Sequence, residues 1–395
     1  MKNSAFKIKI KKVLSNYDAV LAVLVLSICI FGLVMIYSAS SYRAEYYYHD
    51  STLYFRKQGL FIVIGTVAMI FFSLVDYKLF FRSFKWAPIP VSALVWIGSL
   101  GMCIYVVFMG HVVGGSSRWI ESGLGFNIQP SEIAKVGFVL FGAFVLTKWK
   151  RVINTGSTLR NFGFFWALIV PFAAVMAPVL YLNLSSAIIL GAIIGGMILC
   201  VSMDKKYLIF VGIILGILLF VILFAGGYRT ERVDVWLHPE KMDPGGQIMQ
   251  GMLAIGSGGL FGKGFGNSVQ KLGNIPEVHT DMIFTIICEE LGIIGGIALL
   301  LMMMIMLWRI FKIALRATEL KGSLIATGVF VQLAVQILMN IAVVTNAMPA
   351  TGVPRPFVSY GGSSLVIMMA EIGLVLNVSK QTYETIEDKE ETEEE

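Results

Sequence analysis

The chain has 395 residues, of which 57% are hydrophobic and only 14% are charged. Soluble domains carry about 25% charged residues, and no soluble fold of this length buries so much apolar surface, so the composition predicts an integral membrane protein. The net charge of +6 comes from short basic clusters between apolar runs, which is typical of membrane topology signals and argues against a nucleic-acid-binding protein.

The predicted elements are helices, because ten apolar runs reach the length of roughly 17–25 residues that a bilayer-crossing helix needs. We therefore predict an all-α integral membrane protein with about ten transmembrane helices. The predicted spans are 18–37, 59–75, 88–109, 131–147, 163–180, 185–201, 207–226, 282–307, 323–344 and 361–378. Residues 1–17 then form a basic tail, 18–378 the membrane domain, and 379–395 an acidic tail whose composition favours disorder.

The distribution of charge predicts the orientation. With the N-terminus in the cytoplasm, the inside segments hold 18 Lys and Arg residues and the outside loops hold 10. Cytoplasmic loops are enriched in these residues, so we expect both termini to be cytoplasmic. One long extracytoplasmic loop, 227–281, then joins spans seven and eight, and loops of this length are usually functional. The chain shows no internal repeat, which argues against a solute transporter.

A first polar cluster lies between spans three and four. Pro130 suits a helix start, and an acid in the first turn is favoured by the helix dipole. Lys135 is a cation inside a span, one turn after Glu132. Two interpretations stay open: the two side chains form a local ion pair, or the lysine grips a pyrophosphate. The candidate binding residues of this cluster are Arg118, Gln129, Ser131, Glu132 and Lys135.

The long loop contains a second cluster. Its glycine-rich stretches, 256–259 and 262–266, could cradle phosphate through backbone N–H groups, or could simply form tight turns. Without a GxxxxGK[ST] motif, turns are favoured over a nucleotide site. The loop ends in Glu277, His279, Thr280 and Asp281. Asp281 has two open roles, because Thr280 or Asp281 could cap the next helix or Asp281 could be a chemical group.

Span eight itself carries Glu289 and Glu290, about 12 Å further along the helix than Asp281. Carboxylates inside a membrane are expensive and are functional candidates by default. They could instead be structural, paired with Lys135 or with an arginine.

A third cluster, 351–364, precedes the last span and contains Arg355, Ser359 and Ser363. Its two prolines and its Gly pair predict a re-entrant or broken-helix element, which membranes tolerate only where the backbone is buried in protein or lines a wet cavity. Span nine presents Gln332, Gln336 and Asn340 on one helical face. Hydrogen bonding between helices is the favoured explanation of these three residues.

Together the clusters resemble the SEDS family (FtsW/RodA/SpoVE), and the stretch 266–272 resembles the FtsW-like branch most. The resemblance extends over residues 37–379 and is carried by SRWI at 117–120, IQPSE at 128–132, GNSVQKL at 266–272, PEVHTD at 276–281, EELG at 289–292 and PFVSYGGSS at 356–364. It implies a ten-span peptidoglycan glycosyltransferase of the bacterial plasma membrane with an extracytoplasmic active site. The implied substrate is lipid II, a disaccharide-pentapeptide on undecaprenyl pyrophosphate. The implied partners are a class B penicillin-binding transpeptidase and other division or elongation membrane proteins.

The resemblance also places the family's essential aspartate on Asp281, where it would act as general base. Lys135, Arg118 and Lys263 are then the candidate phosphate partners. A divalent cation, Mg²⁺ or Mn²⁺, could share that work, although no ligand cluster in the sequence demands one. The remaining candidate substrate-binding residues are Gln129, Ser131, Glu132, Glu277, His279, Ser359 and Ser363.

Four positions depart from the family pattern. Asn183 and Gly273 stand where many members have an acid, Asn127 where a basic residue is frequent, and Arg355 where an apolar residue is usual. These changes keep two alternatives open: a lipid II flippase, which needs no base, and a catalytically silent scaffold of the division or sporulation machinery.

Overall fold

The computed structural model of the protein describes residues 17–84, 87–113, 116–121, 127–153, 158–201, 236–238, 246–272 and 278–394, together with positions 213 and 216. These parts form a helical bundle. Its helices are α1 (Ala19–Tyr48), α2 (Leu53–Leu74), α3 (Val91–Met109), α4 (Pro130–Ile153), α5 (Thr158–Leu182), α6 (Leu184–Val201), α7 (Gln247–Gly258), α8 (Ile283–Arg316), α9 (Leu320–Val344) and α10 (Gly362–Glu394). Short 3-10 helices lie at Tyr77–Phe81 and Gln270–Leu272.

Two small antiparallel sheets connect the helices on either side of α3. The first pairs β1 (Ser83–Phe84) with β2 (Ala87–Pro90). The second has the order β3-β4-β5, with strands His111–Val113, Ser116–Glu121 and Asn127–Ile128. Because β5 leads directly into α4, this sheet holds the first polar cluster against the start of that helix.

Within the described residues, eight helices are long and apolar enough to cross a membrane: α1, α2, α3, α6, α8 and α9 in full, with Pro130–Arg151 of α4 and Gly362–Tyr383 of α10. The prediction of a helical, multi-pass membrane protein is therefore confirmed. The predicted span 163–180 falls in α5, whose described apolar part, Ile169–Leu182, is shorter. The predicted span 207–226 lies outside the described residues except at positions 213 and 216.

Several helices continue past the apolar runs that predict them, because hydrophobicity marks only the part in lipid while backbone hydrogen bonding extends the helix. The first helix continues to Tyr48 and the eighth to Arg316. The backbone of α10 is helical to Glu394, through the acidic tail for which composition favours disorder. Glu, Lys and Gln are good helix formers, so a helix that starts in the membrane can propagate into this tail.

The centre of the bundle is formed by α4, α6, α9 and α10. More than half of the spanning window of each of these helices is buried, against 22% for α2 and α3. Those two outer helices carry exposed apolar side chains, such as Val63, Val67 and Phe108, as expected of helices that face lipid. Among the buried polar side chains of the candidate site, Glu132, Lys135, Asn340 and Glu371 lie on these central helices.

The eighth helix is broken at Gly292, whose φ of 71° and ψ of −177° are non-helical. The chain that follows α7 packs against this break and forms backbone hydrogen bonds with it. Ile293 and Ile294 donate their N–H groups to the carbonyls of Gly259 and Leu260, while Lys263 and Gly264 donate to the carbonyls of Glu289 and Glu290. The glycine-rich stretch therefore uses its N–H groups on α8, and the tight-turn interpretation is confirmed for this part of it.

Candidate active site

Asp281 lies in a turn, 278–282, that leads into α8. The helix begins at Ile283 with Met282 as its N-cap, and among the described residues no side chain makes a capping hydrogen bond there. The interpretation of Thr280 or Asp281 as a helix cap is therefore wrong. The partly exposed Asp281 carboxylate instead accepts from Thr280 Oγ1 at 3.3 Å and from Gln247 Nε2, at the start of α7, at 3.4 Å.

The backbone of Asp281 is held from the side by α9. Asn340 donates from one amide nitrogen to the carbonyl of Asp281 at 2.8 Å and to the carbonyl of Val353 at 2.9 Å. The side-chain oxygen of Asn340 accepts from Arg355 Nε at 2.9 Å. A Cβ on Gly352 would lie 3.8 Å from Asp281 Oδ2, so the backbone there passes close to the carboxylate. Asn340 thus joins the Asp281 turn to the segment before α10.

That segment, 349–361, is irregular, and its central residues 355–359 are buried, which confirms the prediction of broken backbone enclosed by protein for this part. The N–H of Arg355 donates to Ser359 Oγ at 2.8 Å, so the Ser359 hydroxyl stabilises a tight turn. Gln58 of α2 donates to the Ser359 carbonyl at 3.4 Å and accepts from the N–H of Gly361 at 3.3 Å. A Cβ at Gly32 would overlap the backbone of Val358, so glycine is required where α1 crosses.

His279 packs into an aromatic cluster next to Asp281. Its ring centroid lies 4.3 Å from that of Tyr54 and 5.5 Å from that of Tyr360, and its carbonyl accepts from the N–H of Tyr360 at 2.9 Å. Burial lowers the pKa of His279 to about 4, and the positive charge of Arg43 acts in the same direction. The imidazole is therefore neutral at neutral pH and anchors the turn.

The first polar cluster forms an ion pair inside the bundle. Lys135 Nζ lies 2.6 Å from Glu132 Oε1, and both side chains are almost fully buried. The prediction of a local ion pair is thus confirmed, and α4 begins at Pro130 as expected. A substrate phosphate that used Lys135 would have to share or displace Glu132.

A second carboxylate on α10 belongs to the same region. Glu371 is 1% exposed, interacts electrostatically with Lys135 and Glu132, and accepts from Gln332 Nε2 at 2.7 Å. Hydrogen bonding between helices is therefore confirmed for Gln332, whereas Asn340 bonds to the Asp281 turn and to the irregular segment before α10. Within the described part of the chain, this region combines one buried lysine with two buried acids.

The carboxylates of α8 pair with lysines of the chain that follows α7, residues 259–272, which we call the returning loop. Their interpretation as partners of Lys135 or an arginine is therefore wrong. Lys263 lies 2.7 Å from Glu289, and Lys271 lies 2.9 Å from Glu290. Ser268 also donates its hydroxyl to Glu289. Lys263, a candidate phosphate partner, is therefore engaged with an acid of α8. The two acids anchor the loop that leads to Asp281.

The other candidate residues lie around this centre. Gln129 and Ser131 line a small cavity with Asn183 and Cys103, and Ser363 Oγ donates to the carbonyl of Asn127 at 2.9 Å. The backbone of Arg118 lies in β4, but its side chain is outside the described part of the structure, as are Glu277 and Gly273.

Sequence reasoning missed three residues that the structure brings to the site region. Gln247 contacts Asp281, Gln58 contacts the irregular segment, and Glu371 interacts electrostatically with Lys135. Arg355, which the sequence singled out only as a departure from the family pattern, donates to Asn340. Glu371 could have been found, because it interrupts an otherwise apolar run, and polar groups at such positions are functional candidates.

Comparison with known proteins identifies the family. The model of the FtsW/RodA/SpoVE cell cycle proteins matches residues 18–384. The stage V sporulation protein E of Bacillus subtilis is 37% identical over 366 residues, covering 92% of this chain and 97% of that protein. A probable peptidoglycan glycosyltransferase FtsW of Geobacter metallireducens is 33% identical over 384 residues, covering 95% of this chain and 98% of its own length.

Solved structures share the fold. A chain described under "Structural coordination of polymerization and crosslinking by a peptidoglycan synthase complex" superimposes with a TM-score of 0.73 at 24% identity, covering 93% of this chain and 98% of that chain. Thermus thermophilus RodA, a rod shape determining protein, gives a TM-score of 0.67 at 24% identity with the same coverage. With a family model that matches nearly its whole length, this chain belongs to the FtsW/RodA/SpoVE family.

Proposed function

We propose that this protein is a peptidoglycan glycosyltransferase that polymerises lipid II, with Asp281 as its general base. Family membership and relatives named as probable peptidoglycan glycosyltransferases support the activity. One observation carries the role of Asp281: its carboxylate is partly exposed and does not cap α8, while its backbone is held by Asn340. A carboxylate held in place without a capping role is suited to proton transfer.

The reaction joins a sugar hydroxyl to the anomeric carbon of a second sugar. Asp281 takes the proton of the attacking hydroxyl as the new glycosidic bond forms. The bond from the anomeric carbon to the lipid pyrophosphate breaks, and the electron pair leaves with the pyrophosphate. A single displacement of this kind inverts the anomeric centre, because the hydroxyl attacks the face opposite the departing pyrophosphate.

The pyrophosphate needs positive charge. In our proposal Lys135, Arg118 and Lys263 supply it. Lys135 is paired with Glu132 and Lys263 with Glu289, so a phosphate would share each lysine with its acid or displace that acid. The described residues include no group of three His, Cys, Asp or Glu side chains that could hold a metal ion. Glu132, Glu289 and Glu290 are already engaged with lysines. These three acids offer no free carboxylate pair to a divalent cation, so no step of the proposal passes through one.

The proposal places Asp281 on the extracytoplasmic side of the bacterial plasma membrane, with both termini in the cytoplasm. The excess of basic residues in the predicted inside segments supports this orientation. A class B penicillin-binding transpeptidase is the proposed partner. A protein of the same fold belongs to a peptidoglycan synthase complex described as coordinating polymerisation and crosslinking, which supports that partner. Labelling of a cysteine introduced at position 261 in intact cells tests the orientation, and labelling only after permeabilisation would contradict it.

The decisive experiment compares Asp281→Asn with Asp50→Asn in lipid II polymerisation by the purified protein co-expressed with its transpeptidase. Loss of a general base costs about 10²–10⁴ in rate, so Asp281→Asn should polymerise almost nothing while inserting and binding its partner normally. Asp50 is an acid that pairs with Arg56 in the turn before α2, and the same change there should leave the rate unaltered.

Two outcomes would contradict the proposal. If Asp281→Asn retains more than about a tenth of the wild-type rate, less loss than removal of a general base causes, another residue is the base. If the wild-type protein moves lipid II across liposome membranes without polymerising it, and Asp281→Asn does so equally well, the flippase alternative is favoured.

A further inference from the structure

Arg355 is a buried arginine in the irregular segment before α10. Its side chain is 1% exposed, and its guanidinium carbon lies 3.9 Å from the centroid of the Phe284 ring. Phe284 belongs to the first turn of α8, so the arginine is placed directly behind the turn that carries Asp281. Burial lowers the pKa of Arg355 to about 9, which leaves the guanidinium protonated at neutral pH.

The hydrogen bonds of this guanidinium are unequally distributed. Nε donates to Asn340 Oδ1 at 2.9 Å, whereas Nη1 and Nη2 have no hydrogen-bond partner among the described residues. Leaving buried donors unsatisfied is expensive, at about 1–3 kcal/mol or more for charged groups. An apolar side chain would fill this space without that cost. The hydrogen bond that Nε donates to Asn340 is the contact that an apolar side chain could not make.

That bond controls how Asn340 can orient. An asparagine amide can rotate by half a turn and exchange its oxygen with its nitrogen. With Arg355 Nε donating to the oxygen, the nitrogen must face the carbonyls of Asp281 and Val353, to which it donates at 2.8 and 2.9 Å. If the amide were reversed, its oxygen would oppose two carbonyl oxygens and its nitrogen would oppose the Arg355 donor.

We propose that Arg355 is a positioning residue for Asp281, which orients the Asn340 amide and thereby holds the backbone of the catalytic turn. The inference rests on the proposed role of Asp281. An arginine at this position is a departure from the family resemblance, in which an apolar residue is usual, so the device distinguishes this chain. Displacements of about 1 Å in a catalytic group can reduce a rate by about 10²-fold, so control of one peptide group is enough to matter.

The test uses three substitutions at one position. In Arg355→Gln the amide nitrogen occupies the place of Nε and can donate to Asn340 without any charge. Arg355→Lys keeps the charge but has a carbon at that place, and Arg355→Leu has neither the donor nor the charge. Turnover and KM for lipid II are measured per folded molecule, with folding assessed by size-exclusion chromatography and thermal unfolding.

We expect Arg355→Leu and Arg355→Lys to lose about tenfold or more in kcat with little change in KM, and Arg355→Gln to stay within about threefold of wild type. Arg309→Leu is the matched control, because it removes an arginine whose bidentate pair with Asp18 lies at the far end of α8. That control should lower thermal stability without changing kcat.

A double substitution tests whether the effect passes through Asn340. If it does, Arg355→Leu combined with Asn340→Leu is no slower than Asn340→Leu alone. Additive losses would overturn the proposal, as would a lysine variant faster than the glutamine variant or a leucine variant as fast as wild type. These outcomes differ from failure of the proposed function, which shows as an active Asp281→Asn protein or an inactive wild type.

Discussion

The strongest prediction about stability concerns Glu290 of α8. Its side chain is fully buried, and its carboxylate accepts from Ser38 Oγ at 2.7 Å, from Lys271 Nζ at 2.9 Å and from the N–H of Ser268 at 3.3 Å. The change Glu290→Gln keeps the shape of the side chain and removes its charge. It leaves the ammonium of Lys271, whose side chain is only 8% exposed, without a counter-ion.

The neighbouring acid provides a matched comparison. Breaking one partner of a buried ion pair costs about 3–5 kcal/mol, because the remaining charge is uncompensated. Glu289 is equally buried, but its partner Lys263 is 32% exposed and can be solvated when the acid is lost. Glu289→Gln should therefore cost less, about 1–3 kcal/mol for its remaining hydrogen bonds. Because these acids anchor the loop that leads to Asp281, Glu290→Gln should also lower the polymerisation rate.

The free energy of unfolding is measured by titrating the protein in mixed micelles with a denaturing detergent. Wild type, both single variants and Glu290→Gln combined with Lys271→Met are compared. Removing both charges should recover about 2 kcal/mol or more relative to the sum of the single losses. The reasoning is refuted if Glu290→Gln is no more destabilising than Glu289→Gln, or if the double variant shows simple additivity.

Three further predictions concern other parts of the bundle. Lys135→Met should strongly reduce lipid II use, and recovery of activity on adding Glu132→Gln would show that the pair is only structural. A strained φ alone costs about 1–3 kcal/mol. Gly292→Ala should lower the free energy of unfolding by more than this, because the new Cβ would also overlap the Leu260 carbonyl. Gly98→Ala is the control, and it should be neutral or slightly stabilising in the same unfolding assay because the space around Gly98 is open. Since the pKa of His279 falls to about 4 on folding, the unfolded state binds its proton first, and stability should drop by about 3 kcal/mol as pH falls from about 6.5 to 4. His279→Phe should abolish that part of the slope, and an unchanged slope would contradict the buried neutral imidazole.

The sequence by itself determined the class of fold and the main polar clusters. Long apolar runs predict helices because hydropathy is a local property, and eight described helices meet the requirement for crossing a membrane. The Glu132–Lys135 pair was also accessible, because residues three apart on a helix are neighbours wherever the helix lies. Asp281 stood out for the same local reason, as an acid at the end of a long loop and the start of a span.

Only the tertiary structure decided which partner each buried polar group takes. Ser38 and Glu290 are 252 residues apart in the chain, yet their side chains share a hydrogen bond. Nothing in the local sequence indicates that Lys263 forms an ion pair with Glu289. Nor does it indicate that Asn340 links Arg355 to the Asp281 turn. Several acids and bases could have paired by charge alone, and the selection depends on how α8, α9 and the returning loop pack. The helix cap at Asp281 was excluded in the same way, because the start of α8 at Ile283 is set by the path of the turn and not by the capping preference of the residue.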